Sequence, residues 1–160
     1  MTANSATNTD VTVQEADFDA AALNEQLRLR AKGKAGAIVT FVGYVRDYAG
    51  NTPTESLFLE HYPGMCEREL ENLCQQAKQR WDIIDCIIVH RVGELNLTEQ
   101  IVYVGVSSIH RGHAFRAAEF IIDTLKTRAP FWKRENLKSG KSFWVEQQES
   151  DARKTATWNC

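Results

Sequence analysis

The sequence lacks several features that mark secreted and membrane proteins. No apolar run approaches the roughly 20 residues that a membrane-spanning helix requires. The N-terminal region has no signal-peptide apolar core, and the first basic residue is Arg28, which argues against an Arg-rich transit peptide. We therefore expect a cytoplasmic protein that does not bind membranes.

Metal-binding and nucleotide-binding patterns are also missing. His110 and His113 are three residues apart, but no third ligand has a matching spacing, so we predict no metal site and assign no cofactor. The absence of G-x-G-x-x-G and Walker A motifs counts against nucleotide-binding folds. No C-x-x-C pair or zinc spacing occurs, and we expect free thiols in a reducing compartment at Cys66, Cys74, Cys86 and Cys160.

The composition is that of an ordinary globular protein. Apolar residues make up 43% and charged residues 25% of the 160 positions. This length suits one domain with a core that buries roughly 70% of the unfolded surface. Small polar residues dominate the N-terminus, where little can be buried, so we expect a disordered tail over 1–16 and a single domain over 17–160.

Apolar periodicity predicts an α+β fold with an antiparallel sheet and two long helices. The predicted helices cover 17–32, 65–80 and 114–128, and the predicted strands cover 36–45, 54–62, 85–92, 101–107 and 141–146. Residues 93–95 are predicted to form a turn. Strands occur in pairs between the helices, and this order favours α+β over a doubly wound parallel sheet.

A cationic zone spans residues 110–141. It contains eight basic and three acidic residues, a local charge of plus five, whereas the whole chain has a formal net charge of −2. Such a contrast indicates a specific anionic ligand more than general adhesion to polyanions.

Two lysines in this zone flank a proline and two aromatic residues. Lys126 ends a predicted helix, and Lys133 follows Pro130, Phe131 and Trp132. A single lysine at a helix end is ordinarily a solvated surface residue. Here an apolar wall and neighbouring arginines would lower the pKa of a lysine and raise its nucleophilic fraction. The pair is therefore our candidate for chemistry.

Two further positions could contact an anion. His110 and Arg111 follow a predicted strand and precede a helix, whose free backbone N–H groups would favour a phosphate or a carboxylate. Ser108 could cap that helix, in which case Arg111 would be an ordinary surface residue. Arg46 ends an apolar strand and is a weaker candidate. We interpret His61 and His90 as packed or hydrogen-bonded residues at strand ends.

Several long motifs, in order, resemble one known family, the large catalytic subunit of molybdopterin synthase. They are GAIVTFVGYVR at 36–46, LEHYPGM at 59–65, HRVGEL at 90–95, VGVSSIHR at 104–111, LKTRAPFWKRE at 125–135 and WVEQQESD at 144–151. The likeness runs from about residue 36 to residue 158, and such a set of motifs is far more specific than one short pattern.

The resemblance implies an α/β-hammerhead fold of the α+β class and a sulfurtransferase activity. Enzymes of this family insert two sulfurs into cyclic pyranopterin monophosphate and so form the dithiolene of molybdopterin. The sulfur donor is the C-terminal Gly-Gly thiocarboxylate of a small ubiquitin-like subunit, whose tail threads into the large subunit. Two large subunits form a central homodimer with a small subunit at each end, a heterotetramer.

The resemblance also assigns site residues. The family's essential lysine corresponds to Lys126 and its second active-site lysine to Lys133. Whether Lys126 acts as a base, as a nucleophile or by stabilising charge stays open. The substrate-binding positions correspond to Tyr44, Val45, Arg46, His110, Arg111, Lys126, Lys133, Arg134 and Glu135.

Two departures from the family pattern keep alternatives open. Tyr44 stands where the family commonly has lysine, and Gln148 replaces a common arginine. An inactive scaffold paralogue is therefore one alternative. A basic pocket for a nucleotide, an RNA end or an acidic peptide is another, although the negative total charge is unfavourable for nucleic acid, which we do not expect as a partner.

Overall fold

The computed structural model describes residues 9–47, 52–145 and 149–159. Within these ranges the chain forms two four-stranded β-sheets and four α-helices. Their bounds, in chain order, are β1 Thr9–Gln14, α1 Ala20–Arg30, β2 Ala37–Tyr44, β3 Thr54–His61, α2 Met65–Arg80, β4 Asp85–Arg91, β5 Gly93–Asn96, β6 Gln100–Ser108, α3 Arg111–Arg128, β7 Phe131–Leu137, β8 Ser142–Val145 and α4 Glu149–Ala156.

The first sheet contains the most apolar strands of the chain, in the order β1-β4-β6-β2. Every residue of β4 is buried, and so is every residue of β6 after the first. Helices cover both faces, which explains why these strands have continuous apolar runs instead of alternating ones. The pairs β4–β6 and β2–β6 are antiparallel, whereas β1 pairs with β4 in parallel.

The second sheet is antiparallel throughout, in the order β5-β3-β7-β8. The prediction of a turn at 93–95 was wrong, because these residues form β5 on the edge of β3. The strand β7 was not predicted, because basic residues mask its alternation and it follows directly after Pro130. Strand β8 confirms the last predicted strand as far as Val145, since residue 146 lies outside the described residues.

The two long helices are confirmed. In α2, apolar residues spaced three and four apart are buried at Leu70, Leu73, Cys74 and Ala77. Gly64 begins α2 with a left-handed φ of 82°, and its N–H donates to Glu67 Oε2 at 2.7 Å. Helix α3 begins at Arg111, three residues before the predicted start, and its side facing the first sheet is buried at Ala114, Ala117, Ala118, Ile121 and Leu125.

The N-terminal expectation needs correction. Residues 9–14 form β1, although the sequence predicts a disordered tail over 1–16. Val11 and Val13 pack against the core, and the backbone pairs with the buried strand β4, which supplies the stabilisation that local composition lacks. Residues 1–8 lie outside the described residues. The fold class is α+β as predicted, with two sheets in place of one.

The C-terminal helix α4 was not predicted either. Its attachment is tertiary: the ring of Trp158 packs at right angles to Trp81 and close to Phe120, and Trp158 Nε1 donates to Asp123 Oδ2 at 3.0 Å. No described helix is both long and apolar enough to cross a membrane. The three described cysteines are free thiols, and Cys160 lies outside the described residues.

Candidate functional site

A cavity of about 780 Å³ lies between the two sheets, at the C-terminal end of α3. The first sheet contributes the end of β2 and parts of β4 and β6, and the second contributes β3, β7 and β8. Its polar wall residues are Tyr44, Arg46, His90, Lys126, Thr127, Arg128, Lys133, Glu135 and Asp151. A volume of this size is typical of small-molecule sites.

The two predicted catalytic lysines both line this cavity. Lys126 is exposed on the last turn of α3, and Lys133 is half-buried on β7. Ala129 and Pro130, which we call the connector, join the two elements. Pro130 has no N–H and cannot continue the helix, so the chain leaves α3 at the connector and enters β7 at once. The connector thus brings both lysines to one wall.

Alternation along β7 divides the next three predicted residues between two faces. Lys133 and Glu135 point into the cavity. Arg134 lies on the opposite face of the sheet, where its guanidinium is 4.7 Å from the ring centre of Phe58 and 5.9 Å from that of Trp144. Arg134 is therefore engaged with aromatic rings outside the cavity.

The end of β2 divides its residues in the same way. Tyr44 and Arg46 line the cavity, whereas the Val45 side chain is 2% exposed in the core. Val45 N donates to Glu99 O at 2.9 Å, and its carbonyl accepts from Thr98 N at 2.8 Å. The backbone of Val45 thus holds this strand end in place while its two neighbours reach the cavity.

The wall of the cavity is predominantly cationic. Among its described Lys, Arg, Asp and Glu residues, four are basic and two acidic: Arg46, Lys126, Arg128 and Lys133 against Glu135 and Asp151. Desolvation is the main cause that lowers the pKa of Lys133, and the charges of Lys126 and Arg46 lower it further, while Asp151 opposes them. Lys133 therefore has a larger neutral fraction than a solvated lysine.

Glu135 is held deep in the wall. Its side chain is 6% exposed, and Thr54 Oγ1 donates to Glu135 Oε1 at 2.5 Å across the β3–β7 pair. This bond holds the Glu135 carboxylate against β3 in the cavity wall. Thr54 was not singled out from the sequence, because only the strand pairing brings it to Glu135.

His90 forms part of the cavity floor. Its Nδ1 lies 2.8 Å from Arg91 O, and because a carbonyl only accepts, Nδ1 carries the proton. Burial lowers the pKa of His90 to about 4, so the ring is neutral at pH 7. The ring lies flat against Phe131, with centroids 3.9 Å apart. This confirms the interpretation of His90 as a packed, hydrogen-bonded residue.

His110 and Arg111 are not brought to this cavity. They begin α3, whereas Lys126 lies near its other end, and an 18-residue helix places Arg111 and Lys126 about 22 Å apart along the axis. Both side chains are exposed. Capping of α3 by Ser108 was one alternative; its hydroxyl instead donates to Asp82 O at 2.6 Å and accepts from His110 N at 3.2 Å, one residue before the helix begins.

One cavity residue, Asp151, could not be predicted from sequence patterns. Asp151 reaches the wall because α4 docks on α3, where Thr155 Oγ1 donates to Asp123 O at 2.9 Å. A helix of eight residues is too short for apolar periodicity to predict it.

Gln148, the second departure from the family pattern, lies outside the described residues. Across 9–47, 52–145 and 149–159, no cluster of three or more His, Cys, Asp or Glu residues could hold a metal ion.

Comparison with known proteins agrees with the motifs. Residues 13–128 match the MoaE protein family. A molybdopterin synthase catalytic subunit from Ralstonia nicotianae is 48% identical over 149 residues, covering 92% of this chain and 83% of that protein. The Vibrio cholerae protein of the same name is also 48% identical, covering 92% of this chain and 97% of that one.

A solved structure shares the fold as well. The molybdopterin biosynthesis MoaE protein from Burkholderia ambifaria superposes with a TM-score of 0.80 at 43% identity, covering 95% of this chain and 99% of that one. These matches confirm the resemblance inferred from the motifs. The chain therefore belongs to the MoaE family, the catalytic subunits of molybdopterin synthase in molybdenum cofactor biosynthesis.

Proposed function

We propose that the cavity between the two sheets is the site of sulfur transfer from a protein thiocarboxylate to cyclic pyranopterin monophosphate. The observation that carries the proposal is the convergence of Lys126 from α3, Lys133 from β7 and Arg46 from the segment after β2 on one cavity of about 780 Å³. Both substrates are anions: the donor ends in a thiocarboxylate, and the acceptor carries a cyclic phosphate. A wall with an excess of two basic groups complements both charges.

The two lysines have different surroundings and therefore different proposed roles. Lys126, exposed at the rim, binds the incoming thiocarboxylate and stabilises negative charge on its acyl oxygen. Lys133 is half-buried with a lowered pKa, and its neutral amine accepts a proton. Arg46 and the buried Glu135 position the pterin.

The chemistry balances without an oxidant. The thiocarboxylate sulfur forms a bond to a side-chain carbon of the pterin while a C–O bond at that carbon breaks, and the displaced oxygen leaves as water or stays on the phosphate when the cyclic ester opens. Water then attacks the acyl carbon. The acyl–sulfur bond breaks, oxygen stays on the acyl carbon as a carboxylate, sulfur stays on the pterin, and Lys133 takes up the proton from water. Two such transfers complete a dithiolene, each with a fresh donor tail.

The donor in this proposal is a small ubiquitin-like subunit with a C-terminal Gly-Gly thiocarboxylate, and the assembly is a heterotetramer around a homodimer. The position of His110 and Arg111 supports a second copy of the chain, since one protomer cannot bring them to its own Lys126. Ile109 and Phe115 beside them are 48% and 61% exposed, an apolar surface suited to association. The arrangement of two sheets and four helices is proposed to be the α/β-hammerhead.

Mass spectrometry of the pterin tests the function directly. The purified protein, mixed with thiocarboxylated small subunit and cyclic pyranopterin monophosphate, is expected to yield the dithiolene product. Lys126→Ala should fold and lose product formation, whereas Lys138→Ala, an exposed lysine outside the cavity, should retain it. Absence of product with the unmodified protein would refute the function and favour the inactive paralogue. The replacement of the family's common lysine by Tyr44 would then be the first candidate cause.

A further inference from the structure

The connector between the two lysines is contacted by two side chains that belong to neither α3 nor β7. Cys66, in the first turn of α2, donates its thiol to Pro130 O at 3.2 Å. His90, in β4 of the first sheet, stacks on Phe131, the first residue of β7, at 3.9 Å and an interplanar angle of 12°. Both contacts join parts of the chain that are distant in sequence.

The backbone alone holds the connector loosely. Ala129 N donates to Leu125 O at 3.2 Å and Phe131 N donates to Ala129 O at 2.8 Å, both local bonds. Pro130 has no N–H to donate. Among the described residues, the Pro130 carbonyl accepts a hydrogen bond from the Cys66 thiol. The direction in which the chain leaves α3 therefore depends on these external contacts.

We propose that Cys66 and His90 are positioning residues for sulfur transfer, which together hold the connector so that Lys126 and Lys133 face one cavity. The inference rests on the function proposed above. Cys66 is not among the residues that line the cavity, and His90, which does line it, needs no contact with a substrate for this role. Cys66 fixes the carbonyl between the two lysines, and His90 fixes the ring that lies two residues before Lys133.

The chemical state of both side chains suits this role at neutral pH. Burial raises the pKa of the Cys66 thiol, which stays protonated and remains a hydrogen-bond donor. The neutral His90 ring stacks on Phe131 without adding a charge beside Lys133. The Nδ1 bond to Arg91 O fixes the plane of the His90 ring, and with it the plane against which Phe131 packs.

Paired cysteine variants test the first contact. Cys66 and Cys74 are both 0% exposed on α2, but Cys74 contacts Cys86 and not the connector. With thiocarboxylated small subunit, Cys66→Ala is expected to lower kcat roughly ten- to a hundredfold with little change in KM, because small misplacements of reacting groups have large effects on rate. Cys66→Ser, which keeps a donor, should recover most of the rate. Cys74→Ala should match the unmodified protein.

Paired histidine variants separate the ring of His90 from its hydrogen bond. His90→Phe keeps a flat ring against Phe131, and His90→Gln keeps a donor without a ring. The proposal expects the Phe variant to retain more of kcat than the Gln variant. Equal loss in both, with unchanged unfolding midpoints, would overturn the role of the stack, and equal kcat for Cys66→Ala and Cys74→Ala would overturn the role of the thiol.

A readout without turnover separates this inference from the proposed function. NMR titration of the Lys133 amine reports its surroundings in every variant. Displacement of the connector is expected to shift the pKa of Lys133 in Cys66→Ala and to leave it unchanged in Cys74→Ala. If the unmodified protein made no product, the function would fall while this titration still decided whether Cys66 positions Lys133. An unshifted pKa in Cys66→Ala would contradict the positioning role.

Discussion

Thr54 and Glu135 are partners across two strands: Thr54 Oγ1 donates to Glu135 Oε1 at 2.5 Å, and both side chains are almost completely buried. Thr54→Val keeps the shape of the side chain and removes the donor. Because a buried acceptor without a partner loses its solvation, we expect the free energy of unfolding to fall by about 1–3 kcal/mol. Urea denaturation measures the loss. In Thr54→Ser, which keeps the hydroxyl, the free energy of unfolding should fall by less. Equal losses in the two variants would contradict a stabilising role for the hydrogen bond to Glu135.

Because the pKa of His90 is lowered in the folded protein, we expect the free energy of unfolding to fall at acidic pH. Its folded pKa of about 4 lies below the ordinary histidine value of 6.5, so the unfolded chain binds the proton more tightly. The stabilisation is complete above pH 6.5 and is lost as the pH falls toward 4, by up to about 3 kcal/mol. Urea denaturation as a function of pH measures this dependence. His90→Gln should flatten the pH dependence in this window, and an unchanged slope would assign it to other groups.

The pKa of Lys133 is expected to move in opposite directions in two variants. Asp151→Asn removes a negative charge that favours the ammonium form, so the pKa should fall further. Lys126→Ala removes a positive charge that disfavours it, so the pKa should rise. NMR titration of labelled lysine side chains measures both. Shifts of the same sign would contradict the electrostatic account, and Lys138→Ala provides a matched control outside the cavity.

Mixed assemblies test whether His110 and Arg111 act on a second copy. Lys126→Ala and Arg111→Ala proteins are each expected to lose most product formation. After mixing under conditions that exchange protomers, one of the two sites in a hybrid dimer combines an intact Lys126 with an intact Arg111 from the other chain. Product formation should then return to a substantial fraction of the unmodified rate. Failure to recover in verified hybrid dimers would place His110 and Arg111 outside the sulfur-transfer site.

Local sequence features were sufficient to predict the strands and helices whose buried residues follow a clear apolar pattern. Strands β2, β4 and β6 and helices α2 and α3 follow from β-branched runs and from spacing of three and four residues. Strands β1 and β7 could not be predicted in this way. Thr9–Gln14 is held by the buried neighbour β4, and Phe131–Leu137 by two flanking strands, and neither contact leaves a pattern in the segment itself.

The candidate site shows the same division. Motif likeness identified Lys126 and Lys133, and the connector sequence explains why they can lie on one wall. Motif likeness could not show that the side chains of Val45 and Arg134 point away from the cavity. Their directions depend on the register of the strand pairs, which the sequence did not predict. Nor could it find Asp151, which reaches the cavity through the packing of α4 on α3.

The sequence by itself determined the family, the α+β class, the two long helices and the cationic lysine pair, because these depend on local periodicity, charge and motif order. Only the tertiary structure decided which side chains share the cavity, that His90 and Cys66 brace the connector, and that Arg111 lies about 22 Å from Lys126 along α3. The physical reason is that burial, pKa and the direction of a side chain depend on neighbours from distant parts of the chain, which no local pattern specifies.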